Sequence, residues 1–131
     1  ARTGRDFDDI AAALADRYRV LCPDTLGRGL SQWSPLPEIE YSVGFYTRLA
    51  VAFVDALGVG RMRWLGTSMG AMIGTAAAAG PFKGRITHLV LNDMGPKIGD
   101  AALARIRAYA GSPAQFASFT WPSAATCSGG A

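Results

Sequence analysis

The fold is decided by residues 61–79, which read RMRWLGTSMGAMIGTAAAA. Arg61 to Leu65 is predicted to be a strand, and Met69 to Ala79 a helix of small residues that can lie close to a sheet. Between them the pattern Gly-x-Ser-x-Gly, at residues 66–70, predicts a sharp strand-to-helix turn. Such a turn holds its serine in a strained backbone conformation with the hydroxyl exposed above the sheet. Ser68 is therefore predicted to be a nucleophile.

The remaining sequence alternates helical and strand patterns. The predicted elements are a helix from Asp6 to about Tyr18, a strand over 19–22, a helix capped by Ser42 and ended by Gly58, a strand over 86–91 and a helix from Asp100 to Gly111. Strands that alternate with helices predict βαβ units, so we expect a small three-layer α/β/α sandwich with a mostly parallel sheet. We expect residues 1–112 to form this core and residues 113–131 to form an irregular tail.

Residue spacing also predicts which side chains are buried. In the long helix the buried residues are expected to be Phe45, Leu49, Ala52, Phe53 and Ala56. Cys22 ends the first predicted strand, and we expect it to be a small core residue. Residues 31–41 contain two prolines and are predicted to be irregular surface chain.

Composition narrows the class of protein. At 131 residues and 50% hydrophobic content, the chain can bury the core of one domain. The net charge of +3 comes from scattered arginines, which favours solvated faces over a nucleic-acid surface. Two cysteines are too few for a metal site, and no apolar run approaches the roughly 18 residues that a bilayer span needs. We expect a cytoplasmic protein with no cofactor, no metal, no nucleic-acid partner and no membrane partner.

The serine turn has two other interpretations. As a catalytic turn it needs Gly66 and Gly70, because a side chain at either position would collide with the neighbouring strand or helix. The Met69 N–H, at the helix N-terminus, would then form the oxyanion hole. The first alternative is a glycine-rich turn in which Ser68 does no chemistry. The second is a phosphate-binding turn, but the dinucleotide pattern needs glycine where Ser68 stands, and no Gly-Lys-Ser/Thr occurs.

Three segments, in this order and spacing, resemble the α/β-hydrolase fold family. Residues 22–31, CPDTLGRGLS, are similar to its Pro-Asp-x-x-Gly-x-Gly-x-Ser loop, and residues 66–70 match its nucleophile elbow. Residues 89–96, LVLNDMGP, are similar to the end of the following strand in its esterase and carbon–carbon hydrolase branch. The resemblance covers residues 5 to about 115. It implies a serine hydrolase that acts on a small-molecule ester. Few residues remain to build a lid, so we expect an open site suited to short acyl groups.

The resemblance also implies missing parts. Family members begin with more strands, one of which leads into a His-Gly loop that supplies an oxyanion donor. Later strands carry the acid and the histidine of the triad, in the order Ser, Asp or Glu, His. Relative to the family this chain is truncated at both ends, so its classical triad is incomplete. The alternative function is that of a catalytically crippled remnant, which acts as a binding or interaction module.

The candidates to assist Ser68 are few. His88, the one histidine, precedes Asp93 by five residues, which places it about 16 Å from the carboxyl end of its strand, where such sites lie. His88 is therefore a catalytic candidate for which a structural role is favoured. Asp93 and Asp24 follow strand ends, and Asp93 is predicted to be either the catalytic acid or a loop cap. Lys97 is either a desolvated base or a surface lysine.

The resemblance also implies that a strand is missing inside the sheet. In the family this strand lies between the two that end here at Cys22 and Leu65. Those two must pair directly or leave a gap, and the edges of the small sheet are bare. Because bare edges recruit partners, we expect a homo-oligomer.

Overall fold

The structure is a computed structural model that describes residues 3–95, 99–101 and 104. The first of the chain's two units, Ala1–Pro96, holds all the elements named below. Several predicted features lie outside the described residues. They are Lys97, the boundary at residue 112, the tail over 113–131 and most of the last helix.

The described elements combine helices with a small parallel sheet. The elements are a 3-10 turn at Gly4–Phe7, then α1 Asp8–Leu14, α2 Pro37–Glu40, α3 Val43–Ala56, β1 Met62–Thr67, α4 Met69–Ala79 and β2 Ile86–Asn92. β1 and β2 pair in parallel, from Met62 opposite Ile86 to Thr67 opposite Asn92. The predicted α/β fold with a parallel sheet is confirmed, and so are the strand–turn–helix and the strand after it.

The core lies where α3, α4 and the sheet meet. Its fully buried members are Ala77 and Phe82, and Val54 of α3 is 5% exposed. The partly buried residues around them are Ala50, Val51, Val59, Met62, Trp64 and Ile86. Burying a phenylalanine side chain stabilises the fold by about 1.5–3 kcal/mol, so Phe82, in the turn after α4, is the largest single contributor to this cluster.

Arg85 joins the segments that enter the two strands. Its guanidinium forms an ion pair with Asp55 at 2.8 Å and donates to the carbonyls of Val59 at 2.7 Å and Gly60 at 3.1 Å. It also lies over the Phe82 ring, 4.9 Å from the ring centroid. These contacts fix the starts of both strands relative to each other, and therefore also the carboxyl ends at which the site is built.

The ends of α3 follow the prediction, but its buried face does not. The Ser42 hydroxyl accepts from the Phe45 N–H at 3.3 Å, and Gly58 ends the helix with a φ of 66°. The face predicted to be buried is wrong: Leu49 and Phe53 are 37% and 38% exposed. The residues buried instead are Tyr46, Thr47 and Val54. The helix is apolar on both sides, so periodicity could not select the side that packs against α4.

The first predicted strand, over 19–22, is absent. Among the described residues β1 and β2 pair only with each other, so residues 19–22 have no neighbouring ladder with which to form a strand. The sequence left two outcomes for this segment: it pairs directly with β1, or a gap remains between the two. The structure shows the gap. Cys22 is exposed, so its predicted burial is also wrong. Tyr18 nevertheless contacts the sheet, with the Arg63 guanidinium 4.8 Å from its ring centroid.

Other boundaries near the N-terminus also differ from the prediction. The first helix ends at Leu14 rather than Tyr18. Helical structure was predicted to begin at Asp6, but the Asp6 side chain accepts the Thr3 N–H at 3.2 Å, and the start therefore lies about one turn earlier. Residues 37–40 form a short helix within the segment predicted to be irregular. None of the helices in the described part of the chain has the length and hydropathy needed to cross a membrane.

Candidate functional site

Ser68 stands between β1 and α4 in a strained conformation. Its φ is 52° and its ψ is −113°, and a positive φ at a non-glycine residue costs on the order of 1–3 kcal/mol. The Ser68 N–H donates to the Asn92 carbonyl at 3.1 Å, and its own carbonyl accepts from Ala71 at 2.9 Å and Met72 at 3.2 Å. The strand and the helix together impose the strain. The side chain is exposed, as predicted for a nucleophile at this turn.

The glycines around Ser68 have different roles. A Cβ at Gly66 would overlap the Gly70 carbonyl group and lie 2.5 Å from the Ala71 nitrogen, so the predicted requirement for glycine there is confirmed. The prediction is wrong for Gly70, where a Cβ would meet nothing within 4 Å in the described chain. Gly70 matters through its carbonyl, which accepts the Trp64 indole N–H at 3.0 Å. A Cβ at Gly74 would overlap the Trp64 indole, which confirms the close approach of α4 to the sheet.

A cavity of about 330 Å³ opens beside Ser68. Its lining residues are Arg28, Thr67, Ser68, Met69, Gly70 and Asp93. Ligand cavities commonly start at about 300 Å³, so this one can hold a small molecule. The structure thus brings together Ser68, Met69 and Asp93 of the predicted site, and it leaves His88 outside the lining.

The Met69 N–H is available at this cavity. Met69 is the first residue of α4, so its N–H has no partner within the helix, and no acceptor for it occurs in the part of the chain that the structure describes. The helix dipole adds partial positive charge at the same end. The geometry is compatible with the oxyanion-hole role, which stays a prediction.

Asp93 follows β2 with a φ of 54° and is exposed. It lines the cavity beside Ser68, and its role, catalytic acid or loop cap, stays a prediction. The neighbouring Asn92 donates its amide to the Thr67 hydroxyl at 3.1 Å. This bond ties the carboxyl end of β2 to that of β1 and so sets the position of Asp93 relative to Ser68.

His88 lies on β2 opposite Arg63, away from the carboxyl ends of the strands. Its side chain is exposed, and Nδ1 is 3.2 Å from the hydroxyl of Thr87. This placement agrees with the expectation from residue spacing that His88 belongs away from Ser68. It does not agree with a large structural role, because an exposed side chain with one neighbouring contact supports little of the fold.

Asp24 is a loop organiser, and it does not line the cavity. Its carboxylate accepts the N–H groups of Gly4 at 2.7 Å and Leu30 at 2.9 Å, and its carbonyl accepts the Ser31 hydroxyl at 2.7 Å. The two N–H bonds, Gly4 first, hold the pKa of the Asp24 carboxyl below its usual value. Asp24 therefore shapes the loop that carries Arg28 to the cavity.

Arg28 is the lining residue that sequence reasoning missed. It lies between Gly27 and Gly29, and both its terminal nitrogens are 3.9 Å from the Met69 sulfur. The available signal was a single charged residue between two glycines in a loop that follows an apolar segment. Burial raises the pKa of the nearby Tyr46 phenol, and the positive charge of Arg28 opposes that rise.

Within the described ranges, no group of three or more His, Cys, Asp or Glu side chains is arranged to hold a metal ion.

Known proteins resemble most of this chain. The model of the α/β-hydrolase fold family matches residues 3–119. A 3-hydroxybutyrate-oligomer hydrolase from Cupriavidus necator is 46% identical over 119 residues, which are 90% of this chain and 40% of that protein. Haloalkane dehalogenase 2 from Mycobacterium tuberculosis is 38% identical over 72 residues, 55% of this chain and 24% of that protein.

A solved structure gives the same result for the fold. The crystal structure of an α/β hydrolase from Novosphingobium aromaticivorans superposes with a TM-score of 0.73 at 40% identity. The match covers 82% of this chain and 37% of that one. The chain therefore spans about 40% or less of the length of these relatives.

Proposed function

Given that the chain belongs to the α/β-hydrolase fold family, we propose that it is a serine hydrolase acting on carboxylic esters, with Ser68 as the nucleophile. The observation that carries the proposal is the strained, exposed Ser68 at the mouth of a cavity, next to a free helix N-terminus. Strain of this kind persists only where the surrounding structure imposes it, and it is concentrated at functional sites.

The proposed reaction is acyl transfer through the serine. The Ser68 hydroxyl attacks the ester carbonyl carbon, and the Met69 N–H donates to the oxygen that becomes negatively charged. The alcohol leaves, an acyl-enzyme forms on Ser68, and water then releases the acid. Asp93 is assigned as the acid that orients the base. The base itself comes from outside the described cavity residues, either from a second copy of the chain or from further sequence of a longer protein.

The substrate is proposed to be a short-chain ester. A relative named for hydrolysis of 3-hydroxybutyrate oligomers is 46% identical, so short oligomers of hydroxy acids are the first natural candidates to test. The cavity of about 330 Å³ supports the limit on size.

We test the proposal with 4-nitrophenyl butyrate and the variant Ser68→Ala. The substitution removes one exposed hydroxyl, so we expect turnover to be abolished while the circular dichroism spectrum and the unfolding midpoint are retained. Turnover by Ser68→Ala at the wild-type rate would show that Ser68 is not the nucleophile.

A non-catalytic binding module is the second candidate. It is favoured by the absence of a histidine from the cavity lining in the described part of the chain. A fluorophosphonate ester probe separates the two functions, since an activated serine is labelled rapidly and an inactive one hardly at all. Labelling of Ser68 no faster than labelling of the other serines in the chain would favour the binding module.

We also propose that the chain forms a homo-oligomer. Both edges of the two-stranded sheet are bare within the described residues, and apolar side chains stay exposed on its outer face and on α3. These side chains are Leu49, Phe53, Leu65 and Val90. A second copy can cover them, so light scattering at micromolar concentration is expected to give a dimer or a higher even-numbered oligomer. A monodisperse monomer would contradict this.

A further inference from the structure

Arg28 has no anionic partner in the described structure. The ion pairs among the described residues are Arg5–Asp8, Arg17–Asp16 and Arg85–Asp55. The Arg28 guanidinium is partly buried, and among the described residues the hydrogen-bond acceptor for its side chain is the Met69 sulfur, 3.9 Å from each terminal nitrogen. A thioether is a weak acceptor, so the strong donors of this group are left unused beside the nucleophile.

The loop holds Arg28 in place through its own hydrogen bonds. The Arg28 N–H donates to the Thr25 carbonyl at 2.9 Å, and the Arg28 carbonyl accepts from Ser31 at 3.0 Å. The Tyr46 hydroxyl of α3 donates to the Leu26 carbonyl at 3.0 Å and fastens the loop to the core. Because the backbone around Arg28 is already fixed, less conformational entropy is lost when its side chain binds a ligand than for a side chain on a mobile loop, which favours binding.

We infer that Arg28 forms a carboxylate-binding subsite beside Ser68, so that the cavity selects esters that also carry a free carboxylate. The inference rests on the proposed ester hydrolysis and names its substrate class. A guanidinium matches a carboxylate with two parallel N–H···O bonds, and its two terminal nitrogens are equally far from the Met69 sulfur, so the fork faces a single acceptor position.

Two neighbours sharpen this selectivity. The Met69 side chain is flexible and makes a weak contact, so a carboxylate can displace its sulfur at little cost. Asp93 lines the same cavity, and its carboxylate repels a substrate carboxylate that is placed close to it. The free carboxylate of a substrate is therefore directed to the Arg28 side of the cavity, with the ester group left near Ser68.

Matched substrates test the subsite. 4-Nitrophenyl butyrate and 4-nitrophenyl hemisuccinate have acyl groups of equal length that end in a methyl group and a carboxylate, and the hemiglutarate extends the reach by one methylene. The measured quantity is the ratio of kcat/KM for the acidic ester over the neutral one. Arg28→Gln is expected to lower this ratio about 10- to 100-fold, the effect of losing hydrogen bonds to a charged group.

Two further variants make the result specific. Arg28→Lys keeps the charge but not the fork, so its ratio is expected to lie between those of the wild type and Arg28→Gln. Arg61→Gln removes the same charge from an exposed position at the opposite end of β1, and its ratio is expected to match the wild type. A ratio that is unchanged in Arg28→Gln, or lowered equally in Arg61→Gln, would overturn the subsite.

A binding measurement separates failure of the subsite from failure of the proposed function. Monomethyl succinate is titrated into the Ser68→Ala chain by NMR, with methyl butyrate as the neutral control. Saturable shifts of the Arg28 and Met69 amides by the acidic ester alone, lost in the Ser68→Ala/Arg28→Gln double variant, would support the subsite even if no ester is turned over. Equal responses to both esters would refute it, whatever the turnover.

Discussion

The two halves of the described chain are held together in different ways. From Met62 to Asn92, two strands and α4 pack against each other and against α3, and the fully buried residues lie here. From Thr3 to Phe45 not one residue is buried, and order comes from short helices, backbone hydrogen bonds in turns and a few hydrogen bonds made by side chains. Asp24 and Tyr46 supply the main ones. Close packing thus positions Ser68, while polar contacts position the loop that carries Arg28 to the same cavity.

The cavity needs both halves. The packed half contributes Ser68, Met69 and Asp93, and the hydrogen-bonded half contributes Arg28. Packing tolerates little change in volume, whereas a hydrogen-bonded loop depends on the charge state of its acceptors. The two halves should therefore respond to different perturbations, the first to added atoms and the second to pH.

The largest effect is expected from Gly66→Ala. The new methyl group would overlap the backbone of Gly70, which cannot move away without displacing α4, so we expect a loss of about 1–3 kcal/mol in the free energy of unfolding. Chemical denaturation measures this loss. Gly70→Ala is the matched control, because a methyl group there meets open space, and alanine in a helix is favoured over glycine by up to about 1 kcal/mol.

Equal destabilisation by Gly66→Ala and Gly70→Ala would mean that the turn requires both glycines, as the motif suggests, and that the distinction drawn from the structure is wrong. Stability of Gly66→Ala equal to the wild type would show that the contact between β1 and α4 is looser than described.

A smaller effect, and one that depends on pH, is expected from Asp24→Asn. The carboxylate of Asp24 is stabilised by two backbone N–H groups, so its pKa is lower in the folded chain than in the unfolded one. That contribution is present above the unfolded pKa of about 3.9 and is lost as the pH falls through the folded value. We expect the Asp24→Asn variant to be less stable than the wild type at pH 7 and the difference to shrink below about pH 4.

Thermal unfolding of both chains across pH 2.5–7, a range set by the ordinary carboxyl pKa, gives the measurement. Asp16→Asn is the control, since Asp16 is exposed and makes one long ion pair with its neighbour Arg17. A stability difference between wild type and Asp24→Asn that stays constant with pH would show that the carboxylate charge does not organise the loop.

The same division explains what the sequence could predict. The turn around Ser68 was predictable because its requirements are local: a strand, a glycine at 66 and a helix of small residues are all contiguous. The strand over 19–22 was not, because a strand needs a partner, and none of the described residues supplies one beside it. The prediction of the buried face of α3 failed for a related reason, because the orientation of an apolar helix is set by the elements against which it packs.

Side chains outside a motif were harder to predict. Arg28 was missed because its role depends on where the loop brings it, and no sequence spacing links it to Met69, 41 residues later. Asp24 was predicted to follow a strand end near the site, yet its hydrogen bonds make it part of the loop. The placement of His88 was right because distance along a strand converts directly into distance in space.

The smallest effect is expected from His88→Ala. Its side chain is exposed, and its one hydrogen bond among the described residues is to the neighbouring Thr87, so the free energy of unfolding should change by no more than about 0.5 kcal/mol. Leu89→Ala is the control on the same strand. The Leu89 side chain turns inward against Gly74, and its truncation should cost about 2 kcal/mol.

Ester turnover by His88→Ala should also match the wild type, because His88 does not line the cavity. If a folded His88→Ala chain had lost turnover, His88 would be the base. It would have to act in the cavity of a second copy, so catalysis would depend on oligomer formation.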